Sequence, residues 1–303
     1  MAAPALNLDV QGHRGARGLL PENTLPAFSR ALEIGVTTLE LDCGVTKDGI
    51  VVVSHDPALN PDLTRDAHAV WIANSGPAIW HLSYDELQRY DVGRLKAGTA
   101  YAQRFPQQHA VDGTRIPRLA DVFALVQRSG NSTVRFNIET KISPLRPAET
   151  AEPAFFVSAL LRVIRDAGME QRVTVQSFDW RTLQIVQKEA PAIPTVYLSA
   201  EGTPPDNIER AFGSSPWGAG FHVSRFGGSI PRTIKAAGGA VWSPYHNDLT
   251  REALNEAHAL GLKVVPWTVN AQSDMRRLIE WGVDGIISDY PDLLLTLARP
   301  VHR

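Results

Sequence analysis

The sequence predicts an α/β fold, a (β/α)8 barrel, because short β-like segments alternate with amphipathic helical segments along nearly the whole chain. Its 303 residues suit one such barrel or two ordinary domains. Hydrophobic residues make up 44% of the chain and charged residues 20%, which provides enough apolar surface for one large core. We therefore expect a single domain over residues 1–303.

The first two units illustrate how the elements are assigned. The β-like segment LNLDVQG precedes NTLPAFSRALEIG, in which apolar residues recur at helical spacing until Gly35 ends the helix. The next β-like segment, TTLELDCGVT, is followed by the turn KDG and by IVVVSHD. This second pattern predicts an antiparallel hairpin.

The remaining β-like segments complete a set of eight, each followed by a helical pattern or a loop. The eight expected barrel strands lie in VQG, ELD, FNIETK, TVQSF, VYLS, VWSPY, VVPWT and GIIS. Residues 218–224 (GAGFHVS) resemble a ninth strand, which we expect to be irregular or an extra strand.

One stretch interrupts the alternation. Residues 57–117 are rich in Pro, Gly, Asn and Gln and show only weak periodicity. A connection of that length is uncommon inside a compact barrel. We interpret it as an insertion after the second strand unit.

Charge and composition exclude several classes of protein. The net charge is −2 and no basic stripe is present, so we expect no nucleic-acid partner. No run of eighteen apolar residues would span a membrane. The single cysteine, Cys43, cannot form an intramolecular disulfide. The AAPA start resembles the end of a cleaved leader, which favours a periplasmic or secreted location over a cytoplasmic one. Oligomeric state is left open.

Acidic residues occur in pairs on two of the predicted strands. Glu40 and Asp42 are two residues apart and therefore share one face of their strand, which points to the barrel axis if the alternate residues meet the helices. The alternative is that both carboxylates reach solvent at the strand end. Glu139 and Lys141 have the same spacing on a later strand. Three inward acids would suit one hard divalent cation, Ca²⁺ or Mg²⁺, whereas no Cys or His cluster indicates a structural zinc site.

Two histidines and an arginine occur where β-like segments end. His13 and His55 lie on the face where barrel active sites form, and paired imidazoles can act as general acid and base. A buried structural role is the alternative for each. Arg14 offers a bidentate fork for a phosphate. Lys141 either binds phosphate, forms an ion pair with Glu139, or does both.

For other residues near the predicted strand ends, a structural role is an alternative to a functional one. In PENT, Asn23 or Thr24 can cap the following helix, and a cap alone would account for Asn23. Trp267, in PWTVN, either packs in the core or forms an apolar wall for a small ligand. Among the other histidines, His246 is the one least safely dismissed.

Taken together, HRG, PENTLPAF, ELD, TKDG, VVVSHD, IETK, QSF, PWTVN and DGIISDYP resemble, in this order, the glycerophosphodiester phosphodiesterases. The resemblance implies a (β/α)8 TIM barrel that hydrolyses glycerophosphodiesters to sn-glycerol 3-phosphate and an alcohol. It implies metal ligands at Glu40, Asp42 and Glu139. It also implies acid/base histidines at His13 and His55, phosphate contacts at Arg14 and Lys141, and an aromatic wall against the glycerol at Trp267.

The resemblance further implies attack by the glycerol 2-hydroxyl to give a cyclic phosphate that water opens. It does not assign which histidine is the acid. Two alternative functions stay open at this point: a lysophospholipase D or sphingomyelinase-D-like phosphodiesterase, and a catalytically inactive barrel that only binds a ligand. The head group of the substrate is not indicated either.

Overall fold

The computed structural model describes residues 8–202 and 204–298, and within them nine strands form one sheet. Eight of the strands are parallel and follow the order β8-β7-β6-β5-β4-β2-β1-β9, while β3 pairs antiparallel with β2. The strands are β1 (Asp9–Gly12), β2 (Thr38–Val45), β3 (Val51–Val53), β4 (Arg135–Thr140), β5 (Val173–Ser177), β6 (Thr195–Ser199), β7 (Val241–Pro244), β8 (Lys263–Val264) and β9 (Gly285–Ser288).

Backbone hydrogen bonds close the sheet into a barrel between its two end strands. The amide of Asp284 donates to the carbonyl of Val264 at 3.0 Å, and that of Ile287 donates to Pro266, also at 3.0 Å. Strand β8 is only two residues long, and both Pro244 at the end of β7 and Pro266 after β8 lack the amide hydrogen that would extend its ladders. The predicted (β/α)8 barrel is therefore confirmed.

Helices surround the barrel and supply the other side of its core. They are α1 (Leu25–Ile34), α2 (Tyr84–Leu87), α3 (Ala100–Arg104), α4 (Leu119–Arg128), α5 (Pro153–Asp166), α6 (Trp180–Glu189), α7 (Ile230–Ala236), α8 (Arg251–Ala259), α9 (Gln272–Trp281) and α10 (Pro291–Ala298). Across the described ranges, we find no helix with both the length and the apolar character needed to cross a membrane.

The local elements follow the sequence patterns closely. Helix α1 begins after Thr24, whose hydroxyl accepts the amide of Ala27, and it ends at Gly35 in the left-handed conformation. The hairpin of β2 and β3 forms as expected. Residues 218–224 contribute no strand; short 3-10 turns occur there instead.

The long segment after β3 contains two of the short helices, α2 and α3, and packs around a small apolar cluster. Its buried members are Val52, Leu59, Ile79, Leu87 and Ile116. The division into one domain with an insertion over 57–117 stays a prediction.

Strand β2 separates its apolar and acidic side chains as the alternation predicts. Leu39, Leu41 and Cys43 are fully buried in the hydrophobic core. Glu40 and Asp42 are also buried, and their register partners on β4 are Asn137 and Glu139. The register thus places Asp42 directly beside Glu139 at the end of the barrel where the strands terminate.

The turn after β1 depends on Gly15, which has φ +87°. A Cβ there would lie 2.7 Å from the carbonyl carbon of Ala27 in α1. At Gly35, which has φ +91°, a Cβ would meet nothing within 4 Å.

We expect Gly35→Ala to lower the free energy of unfolding by about 1 kcal/mol, since only the left-handed backbone is penalised. Gly15→Ala should lower it by about 2–4 kcal/mol, because α1 must also move. Urea denaturation of both variants measures the difference. Equal losses would show that the contact between the turn and α1 is unimportant.

Candidate active site

The residues singled out from the sequence line one open cleft at the carboxyl ends of the strands, with about 770 Å³ of empty space. The side chains of His13, Arg14, Glu40, His55, Glu139, Lys141 and Trp267 all border it. Asp42 lies just beneath, 3.1 Å from the Nε of Arg14 through its Oδ2. The barrel thus brings together every residue predicted for the site.

Three carboxylates converge at the floor of the cleft. Glu40, Asp42 and Glu139 are 1%, 1% and 7% exposed, and each offers an oxygen within 4.8 Å of those of the others. Burial and the charge of Asp42 raise the pKa of Glu40 well above its ordinary value. Burial raises the pKa of Glu139 to about 7, although Lys141 opposes the shift. Both pKa values rise because it is unfavourable to ionise several carboxylates close together in a buried site with little water.

Asp42 differs from its neighbours in being held ionised. Burial disfavours its charge, but Arg14, His55 and Lys141 together outweigh burial and hold its pKa below the ordinary range. Its Oδ1 is buried and accepts no hydrogen bond. An all-oxygen set with one such unpartnered atom fits a hard divalent cation.

Backbone and amide groups fix the direction of these carboxylates. Glu40 accepts the backbone amide of Arg14 at 2.9 Å and the side-chain amide of Gln176 at 2.7 Å. Gln176 in turn accepts a hydrogen bond from the amide of Asn137 at 2.9 Å. Asp42 accepts the side-chain amide of Asn23 at 2.9 Å. The acids are therefore positioned before any ligand arrives.

Asn23 corrects one reading of the sequence. The helix cap is Thr24 alone, whereas Asn23 has φ +55° and turns its side chain to Asp42. A cap therefore does not account for Asn23.

His13 is held by a buried carboxylate. Its Nδ1 lies 2.6 Å from Asp289 Oδ1, and its Nε2 faces the acids, 3.9 Å from Glu40 Oε2. Burial and the nearby charge of Arg17 lower the pKa of His13 to about 4, although Asp289 opposes this. Burial also opposes the charge of Asp289, but Arg17 and His13 keep its pKa below the ordinary value. An ionised carboxylate can only accept, so Nδ1 carries the proton of the neutral ring and Nε2 is free to accept one.

His55 is also oriented by an aspartate. Its Nδ1 lies 2.8 Å from Asp56 Oδ1, and its side chain is about one-third exposed to the cleft. Burial and the charges of Arg14 and Lys141 lower its pKa. Both imidazoles therefore present Nε2 as the atom for proton transfer.

Two cations stand next to the carboxylates. Arg14 donates from Nη1 to Glu22 at 2.6 Å, and its own backbone has φ +52°. Lys141 donates to Glu139 at 2.8 Å, with Asp42 Oδ1 3.9 Å away, so the predicted ion pair forms. Both cations lie where an anionic ligand above the acids would meet them.

Trp267 belongs to an aromatic wall. Its ring centroid is 5.3 Å from that of Phe178, edge to face, and 5.5 Å from that of Tyr245. Its indole nitrogen donates to the carbonyl of Ser243 at 3.0 Å, which fixes the ring. His246 packs against Tyr245 and is not among the residues lining the cleft.

Several supporting residues were not identified from the sequence. Asp289 occurs in the quoted DGIISDYP segment, but nothing local connects it to His13, 276 positions earlier. Arg17 lies one helical turn after His13 and donates to Asp289 at 2.7 Å. Gln176 shares the QSF segment, and its inward direction follows from strand alternation.

We expect Asp289→Asn to shift His13 from the Nδ1–H to the Nε2–H tautomer, because the amide can donate where the carboxylate could only accept. Nitrogen-15 NMR of the histidine side chains measures the tautomer. Asp56→Asn is the matched control, and it should alter His55 alone. An unchanged His13 signal in Asp289→Asn would show that the carboxylate does not set the ring.

Known proteins resemble this chain in sequence and in fold. The sequence model of the glycerophosphoryl diester phosphodiesterase family matches residues 13–293. A glycerophosphodiester phosphodiesterase of Caldanaerobacter subterraneus subsp. tengcongensis is 30% identical over 96% of this chain and 97% of its own length. The crystal structure of a candidate glycerophosphoryl diester phosphodiesterase from Silicibacter pomeroyi DSS-3 is 36% identical, covers 98% of this chain and 94% of its own, and superposes with a TM-score of 0.86.

A second solved structure shares the fold at lower identity. It is an Oleispira antarctica phosphodiesterase in complex with the product sn-glycerol-3-phosphate, with 22% identity, a TM-score of 0.67 and coverage of 95% of this chain and 96% of its own. The family match over nearly the whole chain and the similarity to named enzymes lead to one conclusion: this chain belongs to the glycerophosphoryl diester phosphodiesterase family.

Proposed function

We propose that this enzyme hydrolyses glycerophosphodiesters to sn-glycerol 3-phosphate and an alcohol, with one divalent cation and with His13 and His55 as the proton carriers. The observation that carries the proposal is the floor of the cleft, where three buried carboxylates share one cleft with two imidazoles, each oriented by its own aspartate. The complex of the Oleispira antarctica phosphodiesterase with sn-glycerol-3-phosphate supports the choice of product.

Glu40, Asp42 and Glu139 would hold the cation, Ca²⁺ or Mg²⁺. When bound, it would neutralise phosphate charge and polarise the phosphorus–oxygen bonds. Arg14 and Lys141 would contact the phosphate oxygens from the two sides of the acids. Trp267, backed by Phe178, would pack against the C–H groups of the glycerol, while the glycerol oxygens point away from the aromatic wall.

The histidines would move the protons in two steps. In the first, one neutral imidazole takes the proton of the glycerol 2-hydroxyl on its Nε2 as the hydroxyl oxygen bonds to phosphorus. The other imidazole, which enters this step as imidazolium, gives its Nε2 proton to the alcohol oxygen as the bond from that oxygen to phosphorus breaks. In the second, water opens the cyclic phosphate at the 2-oxygen with the roles reversed. Holding the hydroxyl beside the phosphorus makes the first step intramolecular, which lowers its entropic cost.

We expect EDTA to abolish release of sn-glycerol 3-phosphate from glycerophosphocholine, and Ca²⁺ or Mg²⁺ to restore it. Glu139→Gln should weaken cation binding at least about tenfold, because it removes one charged ligand. Isothermal titration calorimetry measures the affinity independently of activity. Glu149→Gln is the control, since Glu149 is half-buried, does not line the cleft and pairs with Arg146. Full activity in EDTA would contradict the metal requirement.

We expect His13→Ala and His55→Ala each to lower kcat by about 10²–10⁴, the usual contribution of a positioned acid or base. Cation affinity should stay within about twofold of the parent, since the expected ligands are all carboxylates. His68→Ala, which alters an exposed histidine of the 57–117 segment, is the matched control. Normal turnover in either of the first two variants would refute the assigned roles.

The same assay separates the alternatives. Lysophosphatidylcholine, which carries an acyl chain, is compared with glycerophosphocholine at equal concentration. Preference for the acylated diester would favour a lysophospholipase D activity.

A further inference from the structure

The segment over residues 57–117 contributes to the mouth of the cleft through α3, a helix of five residues capped by Thr99. The hydroxyl of Tyr101 donates to Glu22 and accepts a hydrogen bond from Arg17 Nη1 at 3.2 Å. These bonds join α3 to the loop that follows β1. Tyr101 and Arg104 therefore border the cleft beside the proposed phosphate site.

Arg104 differs from the other cations of the cleft in its charge balance. Arg14 pairs with Glu22, Arg17 pairs with Asp289, and Lys141 pairs with Glu139. Arg104 is exposed and, within residues 8–202 and 204–298, makes no ion pair with any carboxylate. Among the described residues, the charge of Arg104 is therefore not paired with a carboxylate.

Two aromatic rings hold the Arg104 guanidinium in place. Its central carbon lies 5.6 Å from the ring centroid of Phe105 and 5.8 Å from that of Tyr101. Phe105 is buried and also contacts the Arg17 guanidinium, at 4.7 Å from the ring centroid. Such contacts are attractive and restrict an otherwise flexible side chain. The charge thus has a defined position.

Of the described residues that line the outer part of the cleft, none offers an unpaired carboxylate to Arg104. Asp56, the half-exposed acid of this region, is occupied by the imidazole of His55 at 2.8 Å and by the amide of Asn60 at 2.7 Å. The aromatic wall around Trp267 is built with side chains that follow β5 and β7, whereas Arg104 is on α3. In the proposed function that wall takes the glycerol, which leaves the part of the cleft lined by Tyr101 and Arg104 for the alcohol portion.

We propose that Arg104 selects glycerophosphodiesters whose alcohol portion is negatively charged, such as one carrying a second phosphate, over those with a quaternary ammonium. This inference rests on the proposed function and names its preferred substrate class. An exposed charge pair changes affinity by about two- to fivefold, and attraction for one head group adds to repulsion of the other.

The test compares glycerophosphoinositol 4-phosphate with glycerophosphocholine through kcat/KM for release of sn-glycerol 3-phosphate. We expect Arg104→Gln to lower kcat/KM for the phosphorylated substrate and to raise it for the choline substrate, changing their ratio by about three- to tenfold. Arg104→Glu should change the ratio further in the same direction. Loss of folding cannot produce opposite changes for two substrates.

Two controls isolate the charge. Arg128→Gln removes an exposed arginine from the C-terminal end of α4, at the far end of the barrel, and should leave the ratio unchanged. Raising KCl from about 0.05 M to 0.5 M should reduce the preference of the parent enzyme, because salt screens exposed charges.

The outcomes separate a failure of the proposed function from a failure of the role assigned to Arg104. Release of sn-glycerol 3-phosphate from neither diester would refute the proposed function. Release from both, with a ratio that Arg104→Gln and salt leave unchanged, would overturn the role of Arg104 while the proposed function stands.

Discussion

The three carboxylates buried at the floor of the cleft are the constraint on which the rest of the site depends. Glu40, Asp42 and Glu139 lie too close together to be ionised at once without nearby positive charge. The protein meets part of this cost with Arg14, whose charge holds Asp42 ionised, and with Lys141 on Glu139. The raised pKa values of Glu40 and Glu139 show that the cost is not fully met by these side chains. A divalent cation would complete the balance.

The barrel makes this arrangement possible by distributing its parts among separate strands. The parallel register sets Asp42 beside Glu139, and the hairpin of β2 and β3 brings His55 back to the same rim. The turn at Gly15 presents the Arg14 amide to Glu40 and the His13 ring to Asp289. His13 and Glu40 are thus fixed by bonds to other elements, whereas His55 and Lys141 are fixed by residues one or two positions away, so the cleft is organised before substrate binds.

Strand alternation and the order of the motifs were enough to predict the barrel, the hairpin and the residues that meet in the cleft. Residues such as Glu40 and Asp42 could be predicted because spacing along one strand decides which face they share. Asp289 could not, because its partner His13 is 276 positions away and only the closed barrel brings them together. Arg104 could not, because nothing in the weakly periodic 57–117 segment indicates that α3 borders the cleft. The role of Asn23 was predicted wrongly because an asparagine that caps a helix and one that donates to a carboxylate look alike in sequence. Only the backbone conformation distinguishes the two roles.

Anomalous diffraction from crystals grown with Mn²⁺ and sn-glycerol 3-phosphate shows whether the three carboxylates hold a cation beside the phosphate. Mn²⁺ suits this experiment because it prefers the same oxygen ligands as Mg²⁺ and can be located by its anomalous signal. We expect one strong anomalous peak within about 2.0–2.6 Å of oxygens from Glu40, Asp42 and Glu139, with the phosphate between that peak and the two imidazoles. A peak bound by other residues, or phosphate bound away from this floor with no peak there, would contradict it.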